Sequence, residues 1–147
     1  MRKPDIPSKH LVAYAIPWDR KSRRILMIDH RLSGLWLPPG GHVEEEEPPA
    51  VCAIRELHEE LAAVPMDSEL PTPVFLTVQG TVGTPSHDDV SLWFTIAVDP
   101  DKPMVPDPWE IRSVRWLDYT DILTNDGEAM EPNMHRFAGK LRGLGML

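Results

Sequence analysis

Cysteine is almost missing from this 147-residue chain: Cys52 is the sole thiol. No intrachain disulfide can form, which fits a reducing compartment and leaves stability to a packed core. Long apolar runs are missing too. No stretch approaches the ~20 residues of a membrane-spanning helix, and the basic opening Met1-Arg2-Lys3-Pro4-Asp5 leads into no signal-type apolar run. A cytoplasmic protein with no membrane partner is expected. Positive charge is also scarce, with 15 Lys and Arg against 23 Asp and Glu and a formal net charge of -8. That balance argues against a broad nucleic-acid-binding or anionic-membrane surface. A small phosphorylated substrate stays open, provided metal ions and a few local arginines offset the repulsion. Length and a 41% hydrophobic content fit one domain over residues 1–147.

Patterning predicts a run of strands, a helix, more strands and a last helix. His10 to Ile16 and Arg24 to Ile28 read as two strands joined by a turn over Pro17 to Ser22. Pro48 and Pro49 suit the first turn of a helix that reaches Leu61 or Ala63, before Pro65. Val74 to Val78 is a further strand. Val90, Leu92, Phe94, Ile96 and Val98 alternate with Asp89, Ser91, Trp93, Thr95 and Ala97, the clearest strand signal in the chain. Four prolines make the span from Pro100 to Trp109 an irregular loop, and Ser113 to Leu117 reads as a last short strand. Pro132 opens a helix with Met134, Phe137, Leu141 and Leu144 on one face. This order predicts an α+β fold, a mixed sheet between helices in an α/β/α sandwich.

Negative charge is concentrated where a helix has no structural use for it. Glu56, Glu59 and Glu60 follow Arg55 on the first helix, and Glu47 precedes it. At roughly 100° per residue the three helical glutamates fall within an arc of about 100°, apart from the stripe of Ala50, Ile54, Leu57 and Leu61. Like charges at these spacings repel by about a few tenths of a kcal/mol per pair. The helix dipole also disfavours anions near its C-terminal end. A bound divalent cation would reverse both penalties, so charge logic alone predicts a metal site.

Counted from Gly41, five residues precede Glu47, seven more precede Arg55-Glu56-Leu57, and one separates these from Glu59-Glu60. This spacing resembles the Nudix box, the signature of hydrolases acting on nucleoside diphosphates linked to another group. The lead-in Trp36-Leu37-Pro38-Pro39-Gly40-Gly41-His42-Val43-Glu44 also resembles that family's. There are two departures. Ala62-Ala63 stands where such boxes close with a glycine and an aliphatic residue, and Glu46 stands where a glycine is common. An alanine adopts the left-handed conformation of a closing glycine at a cost of roughly 1 kcal/mol. The helix is therefore expected to run slightly longer or to end differently.

The resemblance implies a Nudix-like sandwich and a metal-dependent pyrophosphohydrolase using Mg²⁺, with Mn²⁺ as a substitute. It implies Glu59 and Glu60 as the main metal ligands, supported by Glu56 and by the Gly41 carbonyl. Arg55 would orient Glu59 from the (i, i+4) position, and Glu47 would anchor the loop through Arg55 or backbone amides. Glu110 sits six residues before Trp116, the spacing at which similar enzymes carry an extra metal-binding glutamate. It is the leading distant candidate for a ligand or for the general base, alongside a box glutamate.

Arg31, and with it Arg23 or Arg24, could touch a phosphate, and Gly40 and Gly41 allow close backbone approach to a ligand. Trp36 and Trp116 read as packing residues. Trp18, Trp93 and Trp109 are candidates to stack a nucleobase. Asp88 and Asp89 could contact a base edge or cap a hairpin. His42 and His58 read as a loop and a helix-surface histidine without a ligand role, and Cys52 as a small packed residue.

The preferred substrate is a nucleoside or deoxynucleoside triphosphate, split to monophosphate and pyrophosphate. ADP-ribose, a dinucleoside polyphosphate or capped RNA are alternatives, ADP-ribose being favoured by a swapped homodimer. A prenyl diphosphate isomerase on the same fold needs an acid–base cysteine, for which Cys52 on the box helix looks misplaced. A nucleotide sensor without catalysis need not keep Glu56, Glu59 and Glu60 together.

Overall fold

A computed structural model describes residues 9–80, 88–125 and 128–147. The chain runs β1 (Lys9–Asp19), β2 (Arg24–His30), β3 (Trp36–Leu37), β4 (Gly40–His42), α1 (Pro49–Leu61), β5 (Phe75–Gly80), β6 (Asp88–Ala97), β7 (Ile111–Leu117), α2 (Tyr119–Leu123) and α3 (Met134–Gly143). All seven strands join one mixed sheet. Strand β1 is its axis. One edge pairs in parallel with β6 from Lys9–Asp88 to Trp18–Ala97. The other edge is shared, antiparallel to β4 around Val12–His42 and to β2 at Trp18–Ile25.

The first strand continues past its expected end, through Pro17 and Trp18. Ala15 donates its N–H to the Pro39 carbonyl on the β4 side of β1. Two residues on, position 17 faces that same edge between the end of β4 and the first β2 pair. A missing N–H costs little there. The strand expected at Val74 to Val78 lies at Phe75–Gly80, and β7 begins two residues before the expected Ser113.

Each face of the sheet has its own core. On the α1 side Ala13 and Ala15 of β1 meet Cys52, Ala53, Leu57 and Leu61, with Phe94 and Ile96 beside them. Small residues on both surfaces let the helix axis approach the strand closely. On the other side Ile16, Ile25 and Trp93 pack against Met134, Phe137, Ala138 and Leu141 of α3. Both faces of β6 are thus covered, so its alternation divides two cores rather than core from solvent. Leu144 is the exception to the expected α3 stripe: it caps the helix and is 50% exposed. The short α2 went unread in the sequence. Asp118 and Asp121 close a reciprocal capping box at its start.

The box helix ends at Leu61, and Ala62 takes the left-handed conformation at φ 53° and ψ 28°. Glu46 has φ 63°. Both non-glycine residues at usual glycine positions adopt the backbone that glycine would favour. The expected change in helix length does not occur. Tertiary contacts hold the end in place, since Val105 donates to the Leu61 carbonyl and Asp107 to the Glu60 carbonyl. The proline-rich loop thereby satisfies two of the free carbonyls at the helix end.

Candidate active site

The loop before α1 is fastened to the helix by Arg55. Its Nε donates to Glu47 Oε2 at 2.7 Å and its Nη2 to Glu47 Oε1 at 3.0 Å, a bidentate pair. Arg55 Nη1 reaches Glu56 Oε1 at 3.1 Å and Glu59 Oε2 at 3.2 Å. Nη2 also donates to the His42 carbonyl at 3.4 Å, tying in β4. Glu47 accepts from the Glu44 N–H as well. The Arg55 hydrogen bond holds the Glu47 carboxyl at about 2, well below its ordinary value of 4.5.

Glu60 points inward. It is 4% exposed, and its Oε2 accepts from the Gly40 N–H at 2.9 Å. Burial, then the charges of Glu56 and Glu110 and a hydrogen bond with Glu110, push its carboxyl up to about 9. Burial also raises Glu56, against the lowering effect of Arg55 and with Glu59 and Glu110 adding to the rise. Gly41 faces the same cluster, where an added Cβ would collide with the Glu56 carboxylate. Its carbonyl is turned toward α1, 3.8 Å from Cys52 Sγ.

Glu56, Glu59, Glu60 and the distant Glu110 are therefore gathered at one end of α1, beside Gly40 and Gly41 of β4. The loop carrying Glu110 is pinned from two sides. Besides the Asp107 bond to Glu60, Arg31 donates its backbone N–H to the Glu110 carbonyl and its Nε to the Pro108 carbonyl at 2.9 Å. Arg31 thus holds the loop.

Other candidates separate. Trp93 is fully buried and cannot offer a face to a base. Its Nε1 donates to Thr77 Oγ1 at 3.0 Å, and its ring packs on Tyr14, Phe75 and Phe137. Trp18 is half-buried, donating to the Met146 carbonyl at 3.0 Å. Trp109, next to Glu110, is 88% exposed. Cys52 is fully buried among core side chains, and burial with the Glu47 charge pushes its thiol up to about 12.

Two residues that the sequence did not single out line a cavity of about 260 Å³ on the opposite side of the sheet from α1. Tyr14 and Glu131 bound it with Thr77, Gln79, Asp89 and Ser91. Glu131 is 7% exposed. Its Oε1 accepts from the Asn133 N–H at 2.7 Å, while its Oε2 is buried without a hydrogen-bond partner among the described residues. Only that orphaned oxygen marks the residue, and it follows from the fold.

The NUDIX domain family model matches residues 8–137. Isopentenyl-diphosphate Delta-isomerase from Cereibacter sphaeroides is 29% identical over 135 residues, covering 80% of this chain and 76% of that protein. Among solved structures, the MutT NUDIX hydrolase from Burkholderia pseudomallei has a TM-score of 0.69 at 20% identity, covering 88% of this chain and 95% of that one. The NUDIX domain of Shewanella oneidensis NrtR, crystallised with ADP ribose, has a TM-score of 0.74 at 16% identity, covering 97% and 93%. A box with every charged position filled, its placement on a helix against a mixed sheet, and a match spanning most of the sequence lead to one conclusion: this chain belongs to the NUDIX hydrolase family.

Proposed function

We propose that this protein is a metal-dependent pyrophosphohydrolase that splits a phosphoanhydride in a nucleoside diphosphate derivative. One observation carries the reading: four carboxylates, Glu56, Glu59, Glu60 and Glu110, converge beside Gly40 and Gly41 of β4 with one of them raised to about 9. Such a cluster is unfavourable by itself and becomes favourable around a cation. The donors are all oxygen, with the Gly41 carbonyl adjacent, which suits a hard ion such as Mg²⁺ or its substitute Mn²⁺. Bound there, the ion would neutralise the diphosphate, orient it and make water a stronger nucleophile.

The chain's own groups then divide the work. Arg55 fixes the directions of Glu56 and Glu59 while Glu47 fixes Arg55. Glu60 and the Gly40 N–H set the distance between β4 and the helix. Glu110, brought in on a separate loop, is the proton acceptor for the attacking water. The Asp107 N–H bond to the Glu60 carbonyl brings that loop to the end of α1, which supports that reach. The E110Q variant should lower kcat by about a hundredfold at saturating Mg²⁺. A shift in the Mg²⁺ concentration for half-maximal rate, with kcat kept, would make Glu110 a metal ligand instead.

A nucleoside or deoxynucleoside triphosphate, cleaved to monophosphate and pyrophosphate, is the preferred substrate. The cavity lined by Tyr14 and Glu131 supports a base with N–H donors, because the free Glu131 oxygen lacks a donor to meet it. Arg31 and the two glycines of β4 would border the phosphates, and the exposed Trp109 is available to stack. Nucleotides incubated with Mg²⁺ and scored separately for pyrophosphate and phosphate test the assignment. Release of pyrophosphate from triphosphates, abolished in E59Q, supports it; cleavage confined to ADP-ribose, together with a homodimer in solution, would move the substrate to that class.

The isomerase likeness raises a second reading, which a buried thiol on the inner face of α1 does not favour. Replacement of Cys52 by alanine should leave turnover within about threefold, since it removes packing rather than an acid–base group.

A further inference from the structure

The strand Gly40–His42 has a second face. Gly41 is turned to α1, so by the alternation of a strand His42 is turned to the far side of the sheet. There it meets His10 of β1, the two rings 5.3 Å apart and nearly perpendicular. The parallel register of β1 and β6 sets His10 directly beside Asp89, with Nδ1 and Oδ1 3.9 Å apart. One potential ligand atom from each of these three residues lies within 4.8 Å of the others.

We propose that His10, His42 and Asp89 form a second divalent-metal site, separate from the box carboxylates and taking a borderline ion such as Zn²⁺ or Co²⁺. Donors around a tetrahedral ion with bonds near 2.1 Å sit about 3.4 Å apart, so modest side-chain rotation closes this set. Two imidazoles and one carboxylate prefer such ions to Mg²⁺, which favours an all-oxygen shell. The three ligands come from three strands of one sheet, a rigid base for a preformed site.

The surroundings suit a cation. Asp89 also lines the cavity that holds Glu131 and Tyr14. The Tyr14 hydroxyl is pushed well above its ordinary value, first by burial and then by the negative charges of Glu131, Asp89 and Glu60. Three protein ligands leave at least one coordination position, which could accept an oxygen of the molecule occupying the cavity. The site thus joins a borderline metal to the place where the substrate's non-phosphate part would sit. This inference does not depend on the hydrolase reading, because it is tested by metal uptake alone.

Full-length metal-free protein titrated with Co²⁺ gives the test, read by visible absorption and by calorimetry. One Co²⁺ with nitrogen-ligand absorption should bind to the wild type and persist in an E59Q/E60Q double variant. H42A, at an exposed position, and D89N should each weaken that uptake on the order of a hundredfold, with circular dichroism confirming folded protein. An absent nitrogen-ligand signal in folded wild type would overturn the proposal. So would a signal lost in E59Q/E60Q and kept in H42A.

Discussion

On the α1 side of β4, four carboxylates gather beside a glycine pair, and Arg55 ties two of them, Glu56 and Glu59, to Glu47. On the other side, two histidines stand beside one carboxylate, Asp89, which also lines a cavity. Three members of the first group lie on one helix, and Arg55 reaches Glu47, Glu56 and Glu59 within one loop and that helix; Glu110 alone arrives from a distant loop. The second exists only because β1 lies parallel to β6 and antiparallel to β4. Hard oxygen donors and mixed nitrogen–oxygen donors therefore sit back to back across three residues of backbone. On the two proposals above, such an arrangement would hold two ions of different character, one on the phosphate chain and one near the remainder of the substrate.

The sharpest way to break this comparison is at the carboxylates. The E59Q and E60Q variants should each lose at least about a hundredfold in Mg²⁺-dependent turnover, with thermal unfolding unchanged or raised for E60Q. Retained turnover in either would remove its assigned metal role. Metal uptake at the histidine set should be unaffected. Next in size is Arg55. Its replacement by alanine leaves Glu47 and Glu56, both largely buried, without their shared cation. A loss on the order of 3 kcal/mol is expected in denaturant unfolding. An unchanged midpoint would make the guanidinium a surface ornament.

The box was legible because its geometry is written in consecutive residues: glycine, glutamates and arginine at fixed spacing on one loop and one helix. Glu110 was legible only through its distance from Trp116. The structure brings it to Glu60 because loop amides cap the helix end. His10, Asp89 and Glu131 carried no such local signal. Their placement depends on strand order, on parallel register and on which polar oxygen the finished core leaves without a donor. Trp93 shows the complementary case. Its strand was plain from alternation, yet a helix on each face turned a candidate stacking surface into core.

Acid and base should act oppositely on the carboxylate face, which sharpens the contrast. Glu60 titrates at about 9 when folded against an ordinary value of 4.5, so the metal-free fold binds its proton more tightly than the unfolded chain does. Its contribution is fully present below about 4.5 and fades as pH rises toward 9. Glu47, lowered to about 2 by Arg55, stabilises the fold above 4.5 and loses that effect as pH falls through 2. Metal-free protein should therefore lose thermal stability between pH 5 and about 9, and E60Q should flatten that slope. Mg²⁺ should flatten it too, by favouring the ionised carboxylate. A slope that survives E60Q would place its origin elsewhere.

The smallest effect concerns the end of α1. Ala62 holds φ 53° and ψ 28°, a conformation that costs a non-glycine residue roughly 1 kcal/mol. The A62G variant relieves that strain but enlarges the freedom of the unfolded chain, so the net gain is expected to stay under about 1 kcal/mol. The same change should leave the Mg²⁺ requirement intact, because Val105 and Asp107 fix the last carbonyls of the helix whichever residue follows. Denaturant midpoints for wild type and A62G, each with and without Mg²⁺, separate the two effects. A gain that appears only without metal would mean that the ion already draws the helix end into place, linking the strained cap to the acidic site and leaving the histidine face outside that coupling.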